Sequence, residues 1–303
     1  MSSEIQSAVS SRVVSDLATI NFSLTTLNLS YNDLGLKGGE SIGRLLRVAG
    51  GVQRMLLHGC QLGCGGLAAV FRGMRAPPLP SINLAINHQS GKKETAKPSA
   101  DEMEALSSAM ASVLAGTCCP LQLDLTANRL GTVLELPHWE SLAQSFSSRL
   151  STLRQLNLSA NELSDAIGEA LGTALAKNQT LTSLNLNSNR LADRSAKAFA
   201  AVVVSPDSQL KTLSLVNNRF GPVGGDDFAR ALEDVYGEDA TAQYESTGMP
   251  ARTGLLSNSS GDLDLRSNPF ASMKWTLLGL RELCPCKIRM NESDMAEYNA
   301  ALP

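Results

Sequence analysis

The sequence has few aromatic residues and no long apolar run, and these absences exclude several classes of function. Aromatic residues make up 4% of the 303 residues, which leaves no stacking platform for nucleic-acid bases. The formal net charge of −3 argues against a general nucleic-acid binder. No run of eighteen apolar residues occurs, so we expect no membrane span. The partners that we expect are therefore proteins.

Recognisable catalytic motifs are also missing. The sequence has no nucleophile elbow, no glycine-rich phosphate loop and no CxxC pair among its six cysteines. His58, Cys60, Cys64 and His88 are close in sequence, but we expect Cys60 to point inward and His58 outward, which disfavours a zinc site. We therefore predict no enzymatic activity, no cofactor and no metal. Buried free thiols indicate a reducing compartment.

An eleven-residue pattern dominates what is present. Its clearest copy, 181–191, reads LxxLxLxxNxL, with apolar residues at positions 1, 4, 6 and 11 and Asn189 at position 9. The alternation over the first six residues is typical of a short strand, and the asparagine can bond backbone groups as the chain turns. A strand this short cannot bury its apolar face alone, so the pattern predicts a stack of repeats.

Eight copies of the pattern follow one another along the chain. Position 9 is held by Asn32, Cys60, Asn87, Asn128, Asn161, Asn189, Asn218 and Asn268. The regular copies are spaced by 27 to 29 residues, for example 28 from Asn161 to Asn189. The segments between copies carry apolar residues at helical spacing, which predicts one helix after each strand.

The motifs around two copies indicate a family. Asn32-Asp33-Leu34-Gly35 is followed by Gly38-Gly39, and Asn218-Arg219-Phe220-Gly221 by Gly224-Gly225. These stretches resemble the ribonuclease-inhibitor-like leucine-rich repeats, and the resemblance covers about residues 22–275. It implies an α/β leucine-rich repeat solenoid (horseshoe), with parallel strands on the concave face, helices on the convex face and about eight repeats plus caps. The family includes inhibitors, receptors, a GTPase activator and scaffolds, so the resemblance does not identify one function.

The expected organisation is one solenoid domain with two caps. In residues 1–22, apolar residues recur at near-helical spacing, which predicts an N-terminal capping helix. We expect the repeats to occupy residues 23–271, and a C-terminal cap and tail to occupy residues 272–303. Longer spacings place insertions near 88–100, 131–138 and 236–261. The first two follow adjacent strands, so we expect them side by side on one rim.

Two groups of residues are candidates for partner binding. Lys92, Lys93 and Trp139 lie in or beside the first two insertions, where an apolar run neighbours a basic loop. Arg129, Glu162, Arg190 and Arg219 hold position 10 of four repeats, and such a row could bind an acidic partner. The alternative is a row of solvated charges with weak pairing.

The sequence favours a non-enzymatic protein-binding scaffold, with a structural subunit of a large intracellular or ciliary assembly as the specific hypothesis. We expect a cytoplasmic location, with cytoskeletal and ciliary sites included. Two alternatives remain: a GTPase-activating protein of the Ran type, supported by the fold and the position-10 arginines, and a ligand-recognition module of an innate-immune type.

Overall fold

A computed structural model describes residues 25–48, 51–88, 97–236, 261–269 and 287–291. The chain divides into two compact units, residues 1–161 and 162–303. The predicted N-terminal helix, most of the third insertion and most of the predicted C-terminal cap and tail lie outside the described residues. No described helix has the length and apolar character that crossing a membrane requires.

The first unit is built on short parallel strands. They are β1 (Thr26–Asn28), β2 (Arg54–Leu56), β3 (Ser81–Asn83), β4 (Gln122–Asp124) and β5 (Gln155–Asn157). Each strand pairs with the next in parallel, and the register aligns position 4 of the repeats, so that Leu27 faces Met55 and Leu123 faces Leu156. The predicted repeat pattern therefore gives the strands their register.

A helical segment follows each of the first four strands. These helices are α1 (Gly35–Val48), α2 (Gly63–Gly73), α3 (Ala100–Leu114), α4 (Leu130–Val133) and α5 (Leu136–Ser145). Helix α1 packs on α2, α2 on α3 and α3 on α5. A Cβ atom added to Gly39 of α1 would lie 2.5 Å from Cα of Gly66 in α2. Glycine at position 39 thus allows the two helix backbones to approach each other closely.

The core of the first unit lies between strands and helices. Leucines at positions 4 and 6 are buried, including Leu156 and Leu158 at 4% and 2% exposure. Helices α3 and α5 close over β4 and β5 through Met110, Trp139 and Phe146, and the void left among these side chains is only about 10 Å³. The repeat leucines therefore form a closely packed interior.

The second unit repeats the same arrangement. Its described strands are β6 (Ser183–Asn185), β7 (Thr212–Ser214), β8 (Asp262–Asp264) and β9 (Lys287–Arg289), and its described helices are α6 (Asp165–Leu175), α7 (Asp193–Val204) and α8 (Pro222–Tyr236). Strands β6 to β9 pair in parallel in chain order. The last strand, β9, lies within the predicted C-terminal cap, and the alternation of parallel strands and helices confirms the α/β class.

Position 9 of the repeats forms a buried ladder of hydrogen bonds. In the first unit, Asn128 Nδ2 donates to the carbonyl oxygens of Leu84 and Leu125, each at 2.9 Å. Its Oδ1 accepts from the backbone N–H of Asn87 at 2.7 Å. Where Cys60 replaces asparagine, its thiol donates to the carbonyl oxygen of Leu29 at 3.1 Å. Asn128 and Cys60 thus each join their own turn to the preceding repeat.

The second insertion is not a protruding loop. Residues 131–138 form most of α4 and the start of α5, and Val133 and Leu134 are 2% and 1% exposed. Helix α5 begins at Leu136, within the second insertion, and Pro137 is readily accommodated in its first turn. Val133 and Leu134 of the apolar run expected beside the basic loop are therefore part of the core, whereas Leu136 is 38% exposed.

Candidate functional site

The candidate binding surface is the open sheet face, which we define as the side chains at strand positions 3 and 5 and at position 7 just after each strand. In the first unit, Thr26, Arg54, Gln122 and Gln155 at position 3 are exposed, while position 4 is buried in each strand. Gln122 and Gln155 are neighbours across β4 and β5. This face is polar because every second strand residue points away from the leucine core.

Hydrogen bonds fix the open sheet face of the first unit across three strands. Asn83 Nδ2 donates to Asp124 Oδ2 at 3.2 Å, and Asp124 Oδ1 accepts from the backbone N–H and hydroxyl of Thr126 at 2.9 and 2.6 Å. Asn157 Oδ1 accepts from the backbone N–H of Ser159 at 3.1 Å. The hydroxyl oxygens of Thr126 and Ser159 are 3.2 Å apart. These side chains are therefore held in place before any partner binds.

The open sheet face of the second unit is organised by paired charges. Arg289 Nε donates to Asp262 Oδ1 at 2.8 Å, and Arg266 Nη2 donates to Asp264 Oδ2 at 2.7 Å. These hydrogen bonds raise the pKa of both guanidinium groups above their ordinary value. Asp264 is only 9% exposed, so its charge needs this partner. The pairs leave a surface with fixed charge positions and little net charge.

Trp139 was predicted as a contact residue, and the structure corrects this. Its side chain is 1% exposed, and its indole N–H donates to the carbonyl oxygen of Leu130 at 3.2 Å. The tryptophan fills the space between α5 and the strands, so a partner cannot reach it in the folded protein. Lys92 and Lys93, the other candidates in this group, lie outside the described residues.

The end of the first insertion contacts the second insertion. Lys97 Nζ lies 2.7 Å from Glu135 Oε1, which joins the end of the first insertion to the second. The hydrogen bond from Lys97 lowers the pKa of Glu135. Both side chains are more than half exposed, so the pair contributes little to stability.

The position-10 residues divide between the units. Arg129 is exposed in the first unit and has a left-handed backbone, with φ 55°. In the second unit, Arg190 Nη2 lies 2.6 Å from Glu162 Oε2, and Arg219 is exposed. The structure therefore brings Glu162 and Arg190 together, as the weak-pairing alternative expects. A role of these four residues in partner binding stays a prediction.

One exposed aromatic pair was missed by the sequence reasoning. Tyr31 is 73% exposed, and its ring meets the His58 ring edge-on with centroids 4.9 Å apart. The signal was available, because Tyr31 and His58 occupy positions 8 and 7 of adjacent repeats, where the chain turns at the same sheet edge. Exposed aromatic side chains are favoured at protein interfaces.

The cysteine and histidine group does not form a catalytic or metal-binding arrangement in the described chain. Cys64 Sγ lies 3.8 Å from His88 Nδ1, but burial raises the pKa of this thiol to about 12. A thiol with so high a pKa is a poor nucleophile. Across the described ranges, no group of three or more His, Cys, Asp or Glu side chains could hold a metal ion.

Comparison with known families supports the repeat architecture. A family model described as Leucine Rich repeat matches residues 21–43, 149–172 and 177–200. No curated protein matches the chain. Together with the parallel strands and their alternating helices, the match confirms the predicted fold class of a leucine-rich repeat solenoid. It does not test the ribonuclease-inhibitor-like subfamily.

Proposed function

We propose that this leucine-rich repeat protein is a non-enzymatic protein-binding scaffold. The observation that carries the proposal is the open sheet face of the first unit, where Asn83, Asp124, Thr126, Asn157 and Ser159 are fixed by hydrogen bonds and remain partly exposed. A partner that docks on this face meets donors and acceptors that lose little conformational entropy on binding. Leucine-rich repeat domains typically bind proteins, which agrees with this surface.

The specific hypothesis is a structural subunit of a large intracellular assembly, cytoskeletal and ciliary ones included. Cys60, Cys64 and Cys119 form no disulfide and are buried, and burial raises the pKa of each thiol to between about 11 and 12. Thiols in this state are compatible with a reducing compartment. The Ran-type alternative gains no support from Arg190, whose guanidinium is paired with Glu162.

Affinity purification from the cells that make the protein, followed by quantitative mass spectrometry, tests the scaffold proposal. We expect a defined set of partners at fixed stoichiometry. A wild-type chain that is folded and monodisperse, yet retains no partner above background, would count against a scaffold. A small GTPase as the main partner, with stimulated hydrolysis lost in Arg129→Ala, would favour the Ran-type alternative.

A further inference from the structure

A pocket lies on the first unit at the sheet edge where the strands begin. Its volume is about 290 Å³, and its lining includes Leu46, Val52, Met74, Pro78, Leu79 and Arg75. Leu46 lies near the end of α1, Met74 directly follows α2, and Val52 and Leu79 precede β2 and β3. The pocket is thus built from two adjacent repeats. It is on the opposite sheet edge from Tyr31 and Arg129, which follow their strands.

The sequence segment that supplies the pocket lining is strongly basic. Residues 41–93 contain five arginines and two lysines and no aspartate or glutamate, although the whole chain has a net charge of −3. Arg47 Nη2 donates to the carbonyl oxygen of Arg72 at 3.5 Å, which places these two side chains at neighbouring helix ends. Arg47, Arg72 and Arg75 are all exposed. The pocket therefore combines several apolar side chains with polar backbone and Arg75 in its lining, and two further guanidinium groups lie at the neighbouring helix ends.

Helix-end electrostatics explains only part of this charge. Arg47 and Arg72 lie in the last turns of α1 and α2, where a cation interacts favourably with the helix dipole. Arg75 lies two residues beyond α2 and lines the pocket instead. The dipole also gives no reason for the absence of every acidic residue over 53 consecutive positions. A negatively charged partner accounts for both observations.

We propose that this pocket binds an apolar side chain carried by an acidic segment of a partner protein. The inference rests on the scaffold function and names the partner's chemistry. A volume of about 290 Å³ is at the small end of ligand pockets, which suits one or two side chains. Carboxylates beside that anchor would pair with Arg47, Arg72 and Arg75, since the guanidinium fork matches carboxylate geometry. Opposite charge would also speed the encounter and select the partner.

Fluorescence anisotropy with defined peptides tests the proposal on the full-length chain. The probe is a labelled heptapeptide with one leucine between two runs of three glutamates. Two further peptides carry glycine in place of the leucine, or lysines in place of the glutamates. We expect the leucine–glutamate peptide to bind, the glycine peptide to bind about ten-fold more weakly, and the lysine peptide not to bind.

Variants locate the binding on the protein. Arg47→Glu combined with Arg75→Glu should weaken the leucine–glutamate peptide by about ten-fold or more, through charge reversal. Gln53→Trp, at an exposed position of the lining, should weaken it similarly by filling the pocket. Arg149→Glu is the matched control, because Arg149 is exposed just after α5 in the same unit, and it should leave binding unchanged. All these positions are exposed, so the variants should retain the wild-type circular dichroism spectrum and melting temperature.

The outcomes that would overturn the pocket proposal are specific. They are no binding of the leucine–glutamate peptide, equal binding of the glycine peptide, or equal weakening by Arg149→Glu. Tighter binding of a duplex DNA oligonucleotide that displaces the peptide would show a nucleic-acid surface instead. If the pocket variants still retain the partners of the wild-type chain from cells, the pocket assignment fails and the scaffold function stands. If the wild-type chain retains no partner, the scaffold function itself fails.

Discussion

The side-chain amide of Asn87 donates a 2.6 Å hydrogen bond to the carbonyl oxygen of Leu57, a residue of the preceding repeat. It also donates to Leu84 at 2.9 Å, and its Oδ1 accepts from the backbone N–H of Cys60 at 3.0 Å. Asn87 is fully buried. One side chain therefore satisfies backbone groups of two adjacent repeats that water cannot reach.

Replacing Asn87 with alanine should lower the free energy of unfolding by about 2–4 kcal/mol, because several buried backbone groups lose their partners. Cys60→Ala should cost about 1 kcal/mol, since the thiol supplies only a weak donor to Leu29. Urea unfolding followed by circular dichroism measures both. If both substitutions lower the free energy of unfolding equally, asparagine at position 9 stabilises the turn no more than the thiol does.

Core leucines should dominate the stability of each unit. Leu158→Ala in the first unit and Leu186→Ala in the second should each lower the free energy of unfolding by about 2–5 kcal/mol, because both side chains are buried and their removal opens a cavity. Leu150→Ala is the control, since Leu150 is 66% exposed, and it should change stability by less than about 0.5 kcal/mol. Denaturation midpoints equal to the wild type for the core variants would contradict the assigned packing.

The buried thiols should react only when the protein opens. Burial raises the pKa of Cys64 and Cys119 to about 12 and that of Cys60 to about 11. At pH 8 we expect iodoacetamide to label these cysteines in the native protein far more slowly than in urea. Rapid labelling of Cys119 in the native protein, located by peptide mass spectrometry, would contradict its burial.

The same thiols should make the fold sensitive to alkali. An unfolded cysteine loses its proton near pH 8.5–9, whereas the folded thiol keeps it to about pH 11 or 12. The unfolded state then binds fewer protons, so stability is complete below about pH 9 and decreases as pH rises toward the folded values. Replacing Cys64 with alanine should reduce this decrease between pH 9 and 11 in thermal unfolding. If the melting temperature of Cys64→Ala depends on pH as that of the wild type does, Cys64 does not contribute to the loss of stability in alkali.

Asp165 should stabilise the helix of the following repeat. Its carboxylate accepts from the backbone N–H groups of Ala192 and Ser195, each at 2.9 Å, at the start of α7. Burial alone would raise the pKa of Asp165, but the hydrogen bonds from Ser195, Ala192 and Arg194 outweigh it and the pKa is lowered. Asp165→Ala should cost about 1–2 kcal/mol at pH 7, as loss of a helix cap does.

The contribution of Asp165 should also depend on pH. Because its folded pKa is below the unfolded value, its stabilisation is present above about pH 4 and is lost as pH falls through the folded pKa. The stability difference between the wild type and Asp165→Ala should therefore shrink in acid. Asp234→Ala, at an exposed position of α8, is the control and should change stability by less than about 0.5 kcal/mol at pH 7. If the free energies of unfolding of the wild type and of Asp165→Ala differ by the same amount from pH 7 down to pH 2, the proposed role of Asp165 as a cap is contradicted.

The strands and their buried leucines could be predicted because the repeat states one geometric requirement eight times. Each copy reinforces the period, so β1 to β8 fall where the pattern places them. The inward orientation of Cys60 was predictable for the same reason, since Cys60 holds position 9, and Asn87 and Asn128 at the same position are buried too. The repeat pattern therefore predicts which side chains are buried, but it does not predict the contacts of surface side chains.

The burial of Trp139 and the pairing of the charged residues at position 10 could not be predicted from the repeat pattern. Trp139 lies in a repeat of irregular length, so its spacing does not reveal which side of α5 it occupies, and only the packed helix shows it buried. The pairing of Arg190 with Glu162 depends on side-chain rotamers. The basic character of the segment that lines the pocket could be predicted from the acid-free stretch 41–93, but the pocket itself forms only where two repeats approach each other.

Isothermal titration calorimetry with a partner retained from cells tests the central claim most directly. The substitutions Gln122→Arg and Gln155→Arg together place new charge and bulk on the open sheet face at two exposed, adjacent positions. The control is Gln144→Arg on the exposed side of α5. A scaffold that binds through the open sheet face predicts about ten-fold or greater weakening for the pair and unchanged affinity for the control. Wild-type affinity in the folded double variant would contradict binding through this face.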